Sequence, residues 1–291
     1  MTKQIKLLAL WTLTSIVFWS QAQASNENYS PPSYIMIETS QDDMGNKDSA
    51  LNLDLTIFNN NRIMLYGRRS HMDDQSAQPN RTTSIGFSTD PSNTFNLELK
   101  HEESIQELAS NTYSNSATAN INLSNWILSV EMDTREIQFA TSAAARRLRP
   151  NVTHITINGK GNSISLGYYG WEAGSASIFF KKNSYDRPLA QLQIAPLWIQ
   201  RIFSQNSLNA AWGLNKSQKG FTLNRYFERA YISLAWTETV AAVDSSVYAY
   251  NSIRGGYDLT QQWSVELEMG TSSSSGYKTT KWTSAALAYR W

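Results

Sequence analysis

Leu51-Asn52-Leu53-Asp54-Leu55-Thr56-Ile57 carries an apolar side chain at every odd position and a polar one at every even position. Successive side chains of an extended chain point to opposite faces, so this stretch reads as a strand with one apolar and one hydrated face. The pattern recurs. Phe95, Leu97 and Leu99 alternate with Asn96, Glu98 and Lys100, and Trp126, Leu128, Val130 and Met132 alternate with Ile127, Ser129, Glu131 and Asp133. Near the other end Trp263, Val265, Leu267 and Met269 alternate with Ser264, Glu266 and Glu268. Soluble sandwiches also contain such strands, so the connections have to decide the architecture.

Tight polar turns are read at 59–61, 91–93, 124–125, 158–162 and 260–262, and longer polar connections at 41–50, 70–81, 103–115 and 141–151. Short turns alternating with long loops are the stringing of a transmembrane barrel, whereas a sandwich has no reason to sort its connections this way. Strands are expected near 34–40, 50–58, 62–70, 82–90, 94–102, 116–124, 126–140, 152–158, 163–172 and 175–184. The series continues near 188–196, 206–214, 225–239, 246–259, 262–271 and 280–291. The expected fold is therefore all-β, a single antiparallel up-and-down barrel of about 16 strands. The irregular stretch 172–225 keeps 14 or 12 as alternatives.

The chain opens on Lys3 and Lys6, an apolar run from Leu7 to Trp19 and Ala22-Gln23-Ala24. A basic start, a short apolar core and an Ala-x-Ala end make residues 1–24 a cleavable secretory signal peptide, which leaves 25–291 as one barrel domain. The apolar run falls short of the roughly 20 residues a spanning helix needs. There is no Cys, which excludes a disulfide framework in an exported protein. Formal charge is +1 and falls slightly negative when Lys3 and Lys6 leave, so nucleic acid is not an expected partner. Mean hydropathy is low at −0.42 while aromatics reach 12%; a water-soluble β protein shows the same totals, so the distribution along the chain decides.

In the last strand Ala285, Leu287, Tyr289 and Trp291 share one face, with Ala286, Ala288 and Arg290 on the other. A final aromatic preceded by apolar residues at alternate positions resembles the terminal signature of Gram-negative outer-membrane β-barrel proteins of the porin-like kind. Phe is commoner than Trp at the last position of that signature. The resemblance implies that Trp291, Tyr289 and Leu287 form an assembly signal read by the barrel-assembly machinery. It also implies that the protein sits in the outer membrane, in contact with its lipid and lipopolysaccharide.

With the apolar set against lipid, the polar set faces inward and is the place to seek function. Expected pore-lining residues are Asp54, Glu98, Lys100, Glu131, Asp133, Arg135, Arg225, Arg229, Arg254, Asp258, Glu266 and Glu268. So many ionisable groups are costly in a dry core but not in a wet lumen. Arg146, Arg147 and Arg149 follow three alanines in an outer loop, where guanidinium groups suit lipopolysaccharide phosphates; a short solvated helix is the alternative. Ile194-Ala195-Pro196-Leu197-Trp198-Ile199 contains a proline and lacks alternation, so it reads as an internal constriction, a bent strand or a loop base.

Chemistry finds little support. Outer-membrane phospholipases resemble a His-x-Ser pair with a nearby Asn, but His101 is followed by Glu102-Glu103-Ser104. His154-Ile155-Thr156 offers a weaker hydroxyl, and His71-Met72-Asp73-Asp74 lacks the second pair of an omptin-type protease. The three histidines lie far apart with no metal-ligand spacing. No reaction, metal or cofactor is expected. The function expected is passive diffusion of small hydrophilic solutes, with a mixed-charge lumen and weak ion preference. One alternative is a conduit resembling the barrels of exopolysaccharide export, which would call for a periplasmic partner. The other is a non-conducting structural or adhesive barrel. Oligomeric state is left open.

Overall fold

The computed structural model describes residues 32–57, 61–71, 80–92, 94–106, 110–140, 154–187, 214–274 and 279–291. They form one antiparallel sheet of fourteen strands closed into a barrel. The strands are β1 (Tyr34–Asp42), β2 (Lys47–Thr56), β3 (Arg62–His71), β4 (Asn80–Ser92), β5 (Phe95–Gln106), β6 (Ser110–Leu123) and β7 (Trp126–Ala140). Then come β8 (His154–Trp171), β9 (Gly174–Tyr185), β10 (Asn215–Tyr226), β11 (Ala230–Ala241), β12 (Val247–Asp258), β13 (Trp263–Ser274) and β14 (Thr280–Arg290). Each strand pairs with its sequence neighbours, and β1 closes on β14 from Tyr34 opposite Arg290 to Asp42 opposite Trp282. Closure leaves no sheet edge and satisfies the wall's backbone internally, as hydrocarbon requires.

Of the strand counts considered, 14 is the one realised. Three local readings change. The expected strands at 152–158 and 163–172 are one strand, β8, with the supposed turn at 158–162 running straight through the sheet. The single strand expected at 225–239 is cut at 227–229 into the end of β10 and most of β11. The strands expected at 188–196 and 206–214 add nothing to the wall between β9 and β10, because these two pair directly from Ser217 opposite Lys182 to Arg225 opposite Gly174. Residues 188–213, which include the 194–199 segment, lie outside the described residues, as do residues 1–24.

The connections sort by length as expected. At the end where β1 begins and β14 finishes they span 57–61, 93–94, 124–125, 172–173, 227–229 and 259–262. The opposite end holds the long ones, 72–79, 141–153 and 186–214, among shorter ones such as 107–109. The loops expected at 41–50 and 103–115 are shorter, because β1 and β2 stay paired out to Gln41 and Lys47, and β5 and β6 out to Gln106 and Ser110.

The outer face is a belt of exposed apolar side chains. Leu51, Leu99, Ile164, Ile178 and Met269 all stand open, and Leu267 is 66% exposed. A belt of this extent has hydrocarbon, not water, as its natural contact. Aromatic side chains gather at the short-turn end: Trp126 lies 4.7 Å from Tyr168 and Trp263 4.8 Å from Tyr289, with Tyr289 stacked on Trp291 at 6.0 Å. Amphipathic rings at that height form an interfacial girdle.

Candidate channel lumen

The register decides which side chains point inward. Opposite residues on neighbouring strands share a face, so the row through Asp54, Tyr34 and Arg290 identifies one set of alternate residues as inner. Asp54, Glu98, Lys100, Glu131, Asp133, Arg135, Arg254, Asp258, Glu266 and Glu268 all lie on that inner face.

Arg225 and Arg229 do not. Arg225 is opposite Ile232 on the exposed outer face, beside Leu223, and Arg229 sits in the turn after β10. The turn at 227–229 puts Tyr226 opposite Tyr231, so inward residues are even-numbered in β10 and odd-numbered in β11. Reading one continuous strand carried the wrong parity across the hairpin. Arg146, Arg147 and Arg149 lie outside the described residues.

The inward charges are organised along the wall. Arg62 Nε donates to Asp54 Oδ1 at 2.9 Å and its terminal nitrogen to Oδ2. Arg68 meets Asp48 at 2.6 Å, Lys100 meets Glu102 at 2.8 Å and Arg290 meets Asp258 at 2.8 Å. Arg254 donates from Nε to Glu268 at 3.0 Å and lies 3.6 Å from Glu266. Each partner is on the same strand, the next strand or the next but one. None of these pairs reaches across the lumen.

The densest cluster explains the misread turn. In β8 the inward column is Gly159, Gly161, Ser163, Ser165 and Gly167, a trough between two strands with long side chains. Over it Lys181 of β9 reaches Glu131 at 2.7 Å and Asp133 at 2.8 Å, while Arg135 holds Asp133 at 2.6 Å and Asn183 at 3.2 Å. A Cβ at Gly161 would stand 2.1 Å from Asp133 Oδ2, and one at Gly159 would stand 2.8 Å from Arg135 Cγ. The glycines of Asn158-Gly159-Lys160-Gly161-Asn162 are therefore room for neighbours' side chains, not turn formers.

The same device lays bulky inward side chains flat. Trp282 lies on Gly270, Phe179 on Gly220 and Met64 on Gly86, where an added Cβ would come within 2.2, 2.6 and 2.9 Å of the covering side chain. Inward positions of β4 and β6 are small and polar, including Thr82, Ser84 and Ser88 opposite a column of Ser114, Ser116 and Thr118 reached through β5.

One inner corner is apolar. Ile137 and Phe139 of β7, Ile157 of β8 and Val243 of the β11–β12 turn make one buried cluster, with Leu214 and Tyr185 packed against it. Strands β9 and β10 stand between in the wall, so Val243 reaches β7 by folding over the rim, tied down by the Ala242 amide donating to the Leu214 carbonyl at 2.7 Å. The turn thus leans inward over the ends of β9 and β10 at the long-loop end.

Several inner residues escape a reading of the sequence. Arg62 and Arg68 belong to β3, where Met64 and Tyr66 also point inward and blur the alternation. Lys181 sits in Phe179-Phe180-Lys181-Lys182, which shows no parity at all. His101 faces outward, exposed, with Nδ1 2.8 Å from the Asn115 side-chain oxygen, and no nucleophile shares that contact.

No protein-family model and no curated protein matches the chain. Among solved structures it is similar to the CymD monoaromatic hydrocarbon channel, with a TM-score of 0.50, 6% identity, and 89% of this chain and 88% of that one covered. It is also similar to OccAB1 of Acinetobacter baumannii (TM-score 0.48, 8% identity, 89% and 95% covered). A third likeness is to the KdgM porin in complex with disordered oligogalacturonate (TM-score 0.45, 8% identity, 89% and 99% covered). At such identities the likeness concerns the barrel fold alone.

Proposed function

We propose that this barrel of porin-type fold is a passive diffusion channel for small hydrophilic solutes in the Gram-negative outer membrane. The observation that carries the reading is the direction of the inward ion pairs: they run along the wall, at most two strands apart, and leave the centre uncrossed. Fourteen tilted strands at ~4.8 Å spacing enclose a cylinder roughly 28 Å across between backbones. Side chains of two facing sheets fill only about 10 Å. Serine and threonine columns on β4 and β6, and aromatic rings laid flat on glycine, keep this wall thin. Diffusion through such a lumen needs neither cofactor nor energy source.

The test is planar-bilayer recording with protein extracted from outer membranes. Stepwise insertion of ohmic channels is expected. A folded barrel, recognised by its heat-modifiable gel mobility, that inserts without conducting would defeat the reading and favour a structural barrel.

A further inference from the structure

From the charges of the inner wall we infer that the channel prefers cations to anions; the inference rests on the channel reading above. Every inward cation among the described residues is already held by a carboxylate. The reverse does not hold. When each inward Arg or Lys is matched to one carboxylate, four inward carboxylates are left over: Glu38, Asp42, Glu98 and Glu266, of which Asp42 accepts hydrogen bonds from the Met44 and Asn46 amides in the β1–β2 turn. Glu38 and Glu98 make no salt bridge among the described residues, and Glu266 has only a 3.6 Å share of Arg254, whose closer partner is Glu268.

Their placement turns a surplus into a field along the path. Glu38 of β1 and Glu266 of β13 stand in one row with Ala286 of β14 between them, about 10 Å apart at two strand spacings. Ala286 offers nothing to neutralise either. Glu98 is on β5, four strands round from β1 and six from β13 by the shorter way, so the third charge faces the first two from another part of the wall. A lumen with low-dielectric walls concentrates such a field on whatever passes through it. Among the described residues an anion finds no uncommitted inward cation and would have to open an existing ion pair to gain one. A cation or an amine-bearing solute meets Glu38 and Glu98, which hold no cation among the described residues. All seven inward cations among the described residues are spent on the wall.

Reversal potential in a KCl gradient across a planar bilayer reads the preference directly. Wild-type protein is expected to pass K⁺ more readily than Cl⁻. The double variant Glu38→Gln/Glu98→Gln, with unchanged heat-modifiable mobility, is expected to bring the permeability ratio toward one while conductance persists. Equal permeation or a Cl⁻ preference in the wild type overturns the inference and leaves the channel reading standing. A K⁺ preference that the double variant leaves unaltered overturns the assignment to these carboxylates. Absence of any current in the wild type removes the channel reading itself, and this inference with it.

Discussion

The ring of Tyr231 lies on Gly256, its register partner on the next strand, so closely that a Cβ at Gly256 would be 2.1 Å from the ring's Cε1. The pair shows how this barrel accommodates inward aromatic side chains without filling its interior. Gly256→Ala has to lift the ring away from the wall and toward the lumen. Single-channel conductance is expected to fall, at a cost of about 1–3 kcal/mol in stability from overpacking. Adding Tyr231→Ala should restore conductance to the wild-type value or above. If the folded alanine variant conducts as wild type does, the ring does not border the solute path.

Gly161 supplies a second steric test, this time of strand β8. An added methyl there meets Asp133 Oδ2 at 2.1 Å and Asn183 Oδ1 at 2.6 Å. Gly161→Ala is expected to disturb the Asp133–Lys181–Arg135 cluster and to lower stability by about 2–3 kcal/mol in urea titrations. A residue in an exposed turn would tolerate alanine with little change, so a neutral result would reinstate the turn.

The outer face can be probed at Leu267, which is mid-strand and 66% exposed. Leu267→Arg should cost about 2–4 kcal/mol when unfolding is followed in lipid vesicles. Ser116→Arg, on the inner face, should cost well under that. Equal penalties would mean that the apolar belt does not contact hydrocarbon.

Val243 closes the apolar corner of the mouth while only 2% exposed. Val243→Asp places a charge among the apolar side chains of Ile137, Phe139 and Ile157. The turn is expected to swing off the rim and conductance to rise, whereas Val243→Ile should leave it unchanged. Conductance unaffected by either substitution would show that the corner lies off the path.

Trp291 is 53% exposed, and its amide donates to the Ser33 carbonyl at 3.1 Å. The ring contributes little burial, so its removal should hardly alter the unfolding midpoint of the finished barrel. We propose that this terminal aromatic serves assembly, so Trp291→Ala is nevertheless expected to lower the amount of barrel inserted in cells. Normal insertion by this variant would end that assignment.

Much of the wall was legible in the sequence. The alternation in Leu51–Ile57 and Trp263–Met269 is a property of each strand by itself, since an extended chain turns successive side chains to opposite sides whatever its neighbours are. The inward placement of Glu98, Glu131 and Glu266 follows from that parity alone. Short turns near 124–125 and 260–262 were legible for the same local reason. Legibility ended where parity was hidden, as in Phe179-Phe180-Lys181-Lys182, or reset, as at the turn before Ala230.

Taken alone, then, the sequence determined that the strands are two-faced and which residue types belong to each face, because both depend on neighbours along the chain. Only the tertiary structure decided that β9 pairs directly with β10, that Gly159 and Gly161 are strand residues, and that three glutamates outlast the inward cations. Those outcomes depend on which strand lies alongside which. A glycine flanked by asparagines is a turn former in isolation and a berth for Arg135 and Asp133 once β7 and β9 close over it. A carboxylate is spare or spent only after the register has assigned it a partner.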